Sequence, residues 1–286
     1  MAAAGGLIWL AVVALLLYAT RRRRAAIGER AAGRMILWCG AAIPAVLLLL
    51  LLVYAFWLMP GLRPFARAGE PAAWTIDVTG EQFWWRVAYQ PGDGTDPILS
   101  ANEIRLPAGE RVEFVLRSTD VIHSFWIPVL AGKMDMIPGR ANQLPVRAEK
   151  PGAYRGACAE YCGTSHALMA FDAIVMEPEA YQQWLAAEAA PSPGVSAPGR
   201  ELFLRHGCGA CHRVAGTQAN GTVGPDLSHV GSRKTLGAGI LPNDREAMER
   251  FIAYPHLIKP GSKMPSFSML PHKDVAAIAA WLRGLK

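Results

Sequence analysis

Two thiols, an imidazole and a thioether fall within twelve residues, in Cys158-Ala-Glu-Tyr-Cys162-Gly-Thr-Ser-His166-Ala-Leu-Met169. Thiolate and thioether are soft ligands, and with imidazole they suit copper or zinc better than magnesium or calcium. Cysteines at i and i+4, then His at +4 and Met at +3, fit one tight loop around a metal. A second imidazole would complete the set. His123, 35 residues upstream in Val-Ile-His-Ser-Phe-Trp, is the candidate. That separation suits a site built by two loops at one end of a β-sandwich. A zinc site would show a second closely spaced Cys pair and no Met. A blue-copper site uses one Cys. A plain disulfide is the third alternative. His123, His166 and Met169 in register with the thiol pair weigh toward copper.

A second cluster, Cys208-Gly-Ala-Cys211-His212, has the c-type haem attachment pattern. The two thiols add to the haem vinyl groups, and His212 follows at once to bind iron from one side. Zinc is the alternative. The flanks agree with haem: a helix-like stretch at 199–205, then Gly224-Pro-Asp-Leu227, then Lys263-Met264-Pro265. Met264 is the expected sixth ligand from its Met-Pro context, with Met269 and Met248 as competitors. The Pro225 carbonyl is expected to accept the His212 ring N–H. His206, His229, His256 and His272 read as surface or haem-edge residues.

These clusters need scaffolds. Strand-like runs occur at 74–78, 83–89, 103–106, 111–116 and 171–175, separated by Pro/Gly turns. That spacing predicts a β-sandwich or barrel. Residues 177–190 read as a closing helix. A Pro/Ser/Gly-rich stretch at 190–199 reads as a linker. Beyond it the pattern is helical, and a last helix at about 273–285 puts Val275, Ile278, Trp281 and Leu282 on one face.

Residues 2–19 and 35–59 carry no charge. Each approaches or exceeds the roughly 20 residues of a membrane helix. The first run lacks the basic start of a signal peptide and is read as retained. Pro44 is tolerable within the second run, with a kink. Residues 1–60 hold six Arg against one Glu, and four of those arginines stand together at 21–24. Between two apolar helices such a run reads as a cytoplasmic loop rather than a nucleic-acid patch. Everything after Pro60 then lies outside. Cys39, within the second run, reads as a small packing residue. The expected domains are a hairpin at 1–60, a copper domain at 61–190, a linker at 191–198 and a haem domain at 199–286.

The stretch from the two apolar runs to about residue 190 resembles the CuA-type subunit II of haem–copper terminal oxidases. Besides the ligand loop, the resemblance rests on Asp120-Val-Ile-His123-Ser-Phe and Lys133-Met-Asp135-Met-Ile-Pro-Gly-Arg140. Residues 196–286 resemble a monohaem cytochrome c. By position, the resemblance implies that Cys158 and Cys162 bridge two coppers and that His123 and His166 cap one each. Met169 and the backbone carbonyl of Glu160 become weak axial ligands. It also implies that the Glu160 side chain reaches a magnesium or manganese ion shared with subunit I, since oxygen ligands suit that ion. Phe83-Trp84-Trp85 resembles the family's aromatic segment below the donor-docking face. Trp85 matches best as a candidate electron-entry residue, and Phe83 stands where a stand-alone subunit has Trp.

The expected fold class is a multidomain membrane protein: a two-helix transmembrane hairpin, a cupredoxin-like β-sandwich or barrel and an all-α cytochrome c domain. The resemblance implies subunit II of a caa-type cytochrome c oxidase in a bacterial-type plasma membrane. Its partners would be subunit I, subunit III, membrane lipid and a cytochrome c or other donor, with no nucleic acid. Oxygen reduction and proton pumping would belong to subunit I. A CuA-containing nitric oxide reductase subunit and a free-standing membrane-anchored carrier are the alternatives. No carboxylate lies between Gly33 and Pro44 to start a proton path, and Glu29 is the nearest. Residues 61–190 carry 11 basic and 16 acidic groups, and residues 191–286 carry 12 and 6. Opposite charge predicts that a tethered haem domain docks electrostatically on its own copper domain. A permanently packed interface is the alternative.

Overall fold

The computed structural model describes residues 2–21, 28–62, 72–92, 94–195 and 198–286. Most of the arginine run and the exit segment after the second apolar run lie outside the described residues. The chain divides into one unit through residue 66 and another from residue 67 on.

In the first unit, α1 spans Ala2–Arg21. Helix α2 (Glu29–Met35) runs through a π-helical stretch, Ile36–Ala42, into α3 (Ile43–Leu62). Pro44 accounts for the irregular turn: it has no N–H to give the Gly40 carbonyl, and its ring crowds that carbonyl. From Glu29 to Met59 the helix is long and apolar enough to cross a membrane. The apolar helix Gly5–Arg21 is shorter than that requirement. One helix of spanning length is therefore present among the described residues, where two were expected. Cys39 lies on the π-helical stretch and is exposed rather than packed.

The second unit begins with a β-sandwich. Its strands are β1 (Trp74–Glu81), β2 (Trp84–Gln90), β3 (Ile98–Ala101), β4 (Glu103–Pro107), β5 (Arg111–Ser118), β6 (His123–Trp126), β7 (Met134–Met136), β8 (Asn142–Arg147), β9 (Gly152–Cys158) and β10 (Ala170–Met176). One sheet has the order β3-β2-β1-β5-β8, the other β4-β10-β9-β6-β7. Alternation on β1, β2 and β5 turns Ile76, Val78, Trp85, Val87, Phe114 and Leu116 into the core. Successive side chains on a strand face opposite sides, so every second residue meets the other sheet. Phe125 and Phe171 stack at 4.8 Å, and Trp85 meets both edge-on. Each such burial contributes about 1.5–3 kcal/mol. Helix α4 (Pro178–Ala189) closes the sandwich, with Pro at its first turn as helix starts favour.

The helical part follows: α5 (Pro198–Arg205), a short hairpin β11 (Thr235–Leu236) and β12 (Leu241–Pro242), α6 (Arg245–Ala253), α7 (Pro255–Ile258) and α8 (His272–Gly284). Val275, Ile278, Trp281 and Leu282 of α8 are buried, as the spacing predicts. Trp281 packs edge-on against Phe203 of α5 with ring centroids 5.1 Å apart. Ser192, in the expected linker, is buried, and its Oγ accepts from the backbone N–H of Lys286 and Gly194. Ser192 is thereby tied to Lys286.

Sandwich and helical part pack together. Arg86 donates to the Thr222 carbonyl at 2.8 Å, and Arg155 to the Gly239 carbonyl at 3.1 Å. Glu103 accepts from the Lys234 backbone at 2.7 Å, and Asp172 from Thr235 at 2.8 Å. The Ala170 backbone N–H donates to the Ala238 carbonyl at 3.0 Å. Opposite charges do meet, as in Lys234–Asp172 at 3.5 Å. The contact is nonetheless built mainly from hydrogen bonds to backbone and hydroxyl groups.

Candidate copper and haem centres

The loop joining β9 to β10 places the two cysteines at one end of the sandwich, and β6 brings His123 beside them. The Cys158 and Cys162 sulfurs stand 3.8 Å apart. His123 Nδ1 lies 3.8 Å from Cys158 Sγ, and His166 Nδ1 lies 3.7 Å from Cys162 Sγ. Met169 Sδ is 3.8 Å from Cys162 Sγ, and the Glu160 carbonyl oxygen is 3.2 Å from Cys158 Sγ. All six expected copper ligands are brought together, with His123, Cys158, Cys162 and Met169 buried. A His123–Cys158–Cys162 cluster has its ligand atoms within 4.8 Å of one another. A soft, sulfur-rich set of this kind, with His166 half-buried at its edge, fits copper.

Electrostatics around the thiols are those of a proton-sharing pair. The hydrogen bond between the two sulfurs holds Cys158 well below the ordinary thiol range, burial opposing and His123 assisting. The same bond, burial and the neighbouring thiolate push Cys162 up. Metal binding at such a pair would require both thiols to give up their protons. Burial works against charge on His123, but its bonds to Cys158 and Asp120 outweigh it and raise its pKa.

Two residues outside the expected ligand set orient it. Asp120 accepts from His123 Nε2 at 2.9 Å and from the Gln82 backbone at 2.8 Å. That bond turns His123 Nδ1 toward the sulfurs, the usual way a carboxylate fixes an imidazole ligand. Burial raises the Asp120 pKa, but bonds from His123, Gln82 and Val121 overcome this and lower it. The Gln82 side chain donates to the Cys162 carbonyl at 2.7 Å. The Asp-x-x-His spacing was a usable signal for Asp120; Gln82, 80 residues from Cys162, left none. Gly80 is required by close approach, because a Cβ there would stand 2.8 Å from the His123 ring.

Trp85 is a core residue with no exposed surface. Its ring centroid is 6.2 Å from that of His123. Strand alternation points it inward, so a docked donor would not touch it. Glu160 is 45% exposed, and Lys133 Nζ lies 3.6 Å from it and 3.4 Å from Asp135. An amine therefore joins the two carboxylates.

The haem motif lines a largely apolar cavity. Cys208, Cys211, His212 and Met264 share it with Phe203 and Leu282. His212 Nδ1 donates to the Pro225 carbonyl at 2.8 Å, as expected, and leaves Nε2 for a metal. Burial holds the His212 pKa down, keeping the imidazole neutral as ligation requires. Burial pushes Cys208 up to about 11. Arg233 is buried on the same cavity, and its Nε has no partner. An orphaned buried N–H beside an apolar slot fits a flat ligand with acidic substituents. Met269 is 74% exposed and outside the cavity, while Met248 is buried on its wall. His229 corrects the expectation of a surface residue: it is buried, and Nε2 donates to the Ala190 carbonyl at 2.9 Å.

Fold and site together define a cupredoxin-like domain with a copper-type ligand loop, followed by a cytochrome c domain. A family model described as the periplasmic domain of cytochrome c oxidase subunit II matches residues 90–177, and one described as cytochrome c matches residues 196–286. Cytochrome c oxidase subunit 2 of Alkalihalophilus pseudofirmus is 36% identical over 251 residues, covering 85% of this chain and 71% of that protein. The Bacillus subtilis protein of the same name is 31% identical over 239 residues, 78% of this chain and 66% of that one. A crystal structure of the periplasmic domain of subunit II of cytochrome oxidase from Bradyrhizobium japonicum is 32% identical and covers 42% of this chain and 95% of that one, with a TM-score of 0.39. The chain belongs to the cytochrome c oxidase subunit 2 family, a component of an oxidoreductase complex.

Proposed function

We propose that this chain is the electron-entry subunit of a terminal oxidase, taking electrons from an external donor through haem c and a dinuclear copper centre to subunit I. The observation that carries the reading is the gathering of both ligand sets, six copper ligands and a Cys-x-x-Cys-His cavity, within one compact unit. Both groups supply one-electron chemistry when bound. Cys158, Cys162, His123, His166, Met169 and the Glu160 carbonyl would hold the copper. Cys208 and Cys211 would hold the haem covalently, with His212 and Met264 on its iron.

The chain's own part is to hold these ligands still. Asp120 fixes His123, Gln82 fixes the Cys162 backbone, and Pro225 fixes His212. Ligands held by hydrogen bonds to neighbouring groups, with no ligand position left open, suit electron transfer rather than substrate binding. The Glu160 and Asp135 carboxylates support a magnesium or manganese site at a subunit I contact, once Lys133 is displaced. Subunit III and lipid contacts follow from the same reading, with the copper and haem domains on the external face and α1 as a second membrane pass.

Purification in mild detergent tests this reading. Co-isolation with a multi-helix haem protein that consumes oxygen is expected. Nitric oxide consumption instead, or isolation alone, would overturn it.

A further inference from the structure

The loop that carries Met264 touches the copper loop directly. The Pro260 carbonyl, four residues before Met264, accepts from Ser165 Oγ at 2.6 Å and from Thr164 Oγ1 at 3.1 Å. Ser165 has no exposed surface and immediately precedes His166. A second thread runs beside it. Lys263 Nζ lies 3.5 Å from Asp120, the residue that holds His123. The turn between the threads has Gly261 at φ +78, where a Cβ would sit 2.6 Å from Thr164 Oγ1 and 3.1 Å from the Phe83 ring. Glycine there lets the two loops meet without a spacer.

The two threads differ in strength. Lys263 is 64% exposed, and a pair of that kind contributes little and weakens in salt. The Ser165 bond joins neutral groups, its donor buried and Pro260 at the surface, so salt screens it far less than the ion pair. Losing it would strip a short partner from a carbonyl at the domain junction.

We propose that Ser165, seconded by Thr164, is a clasp that holds the iron-ligand loop at a fixed distance from the copper-ligand loop. Resting on the function proposed above, this makes haem-to-copper transfer a fixed-geometry step rather than a docking event. With both groups bound, the step would pass one electron from the haem that Cys208, Cys211, His212 and Met264 would hold to the copper that Cys158, Cys162, His123 and His166 would hold. No bond forms or breaks, and no proton moves. Ser165 is a positioning residue, acting through His166 on one side and the Pro260–Met264 loop on the other.

The test uses the full chain with haem and copper loaded, as wild type, S165A, S165T and T164V/S165A. Photoreduction of the haem gives the transfer rate. The magnetic coupling between the oxidised copper pair and ferric haem gives their separation. In the wild type the rate is expected to be flat with ionic strength. S165A should slow it several-fold, and T164V/S165A further and with a new salt dependence and a longer separation. S165T should restore it. Haem and copper potentials should not move in any variant. An S165A rate equal to wild type, or a slowing wholly explained by shifted potentials, overturns the clasp. A wild-type chain that never shows the two-copper signal or the haem refutes the functional reading instead.

Discussion

At the residue scale, the copper site depends on unequal ligands. Met169 lies near one sulfur only, so Met169→Leu is expected to keep a two-copper mixed-valence signal, seen by electron paramagnetic resonance. Loss of that signal would give the thioether a larger part than its position suggests. Asp120 touches no thiol but aims His123, and Asp120→Asn is expected to weaken copper binding by roughly 10–100-fold in a competition titration while the chain stays folded. The ligands themselves were legible because chemistry restricts them to Cys, His and Met at fixed spacing. Gln82 and Ser165 were not, since a hydrogen bond to a distant backbone carbonyl leaves no pattern in the chain.

At the element scale, β1, β2, β4, β5 and β10 were legible, and β3, β6, β7, β8 and β9 were not. Alternation over seven or eight residues marks β1, β2 and β5. Strands β6 and β7, of four and three residues, have too little length to show a period. They are the elements that present His123 and Asp135, so the site was read from its ligands while part of its scaffold was missed. Gly80 on β1 is a sharp probe of that scaffold. Gly80→Ala should displace the His123 ring and reduce copper occupancy, measured by metal content, more than it lowers thermal stability.

The turn after α7 carries a second probe. Lys259 is 4% exposed on the haem cavity, and burial pushes its pKa down to about 7. Between about 7 and the ordinary lysine value near 10.4 the unfolded chain binds a proton that the folded chain does not. Stability should therefore rise with pH across that window. Lys259→Met should flatten the rise in denaturant titrations; an unchanged slope would mean that Lys259 is not the group responsible. In the same domain, Trp281→Ala removes the ring packed on Phe203 and should cost about 3–5 kcal/mol.

At the scale of the whole molecule, charge division predicted an attraction between copper and haem domains, and carboxylates do meet lysines across the contact. Charge alone did not disclose that the contact is hydrogen-bonded and continuous. That needs Arg86, Arg155 and Ala170 to find carbonyls 136, 84 and 68 residues away. Docking of the haem domain on its own copper domain was expected from charge; the contact forms, but mainly through hydrogen bonds, and Ser192 Oγ accepts from the Lys286 backbone N–H.

On the proposed function, one chain would carry an electron from haem to copper within itself. The direct measurement is photoreduction of the haem in the purified, loaded chain, following haem reoxidation and copper reduction together. Matched kinetics are expected, at a rate that does not change with protein concentration or ionic strength. Haem that stays reduced while copper is oxidised, or a rate that scales with protein concentration, would contradict it.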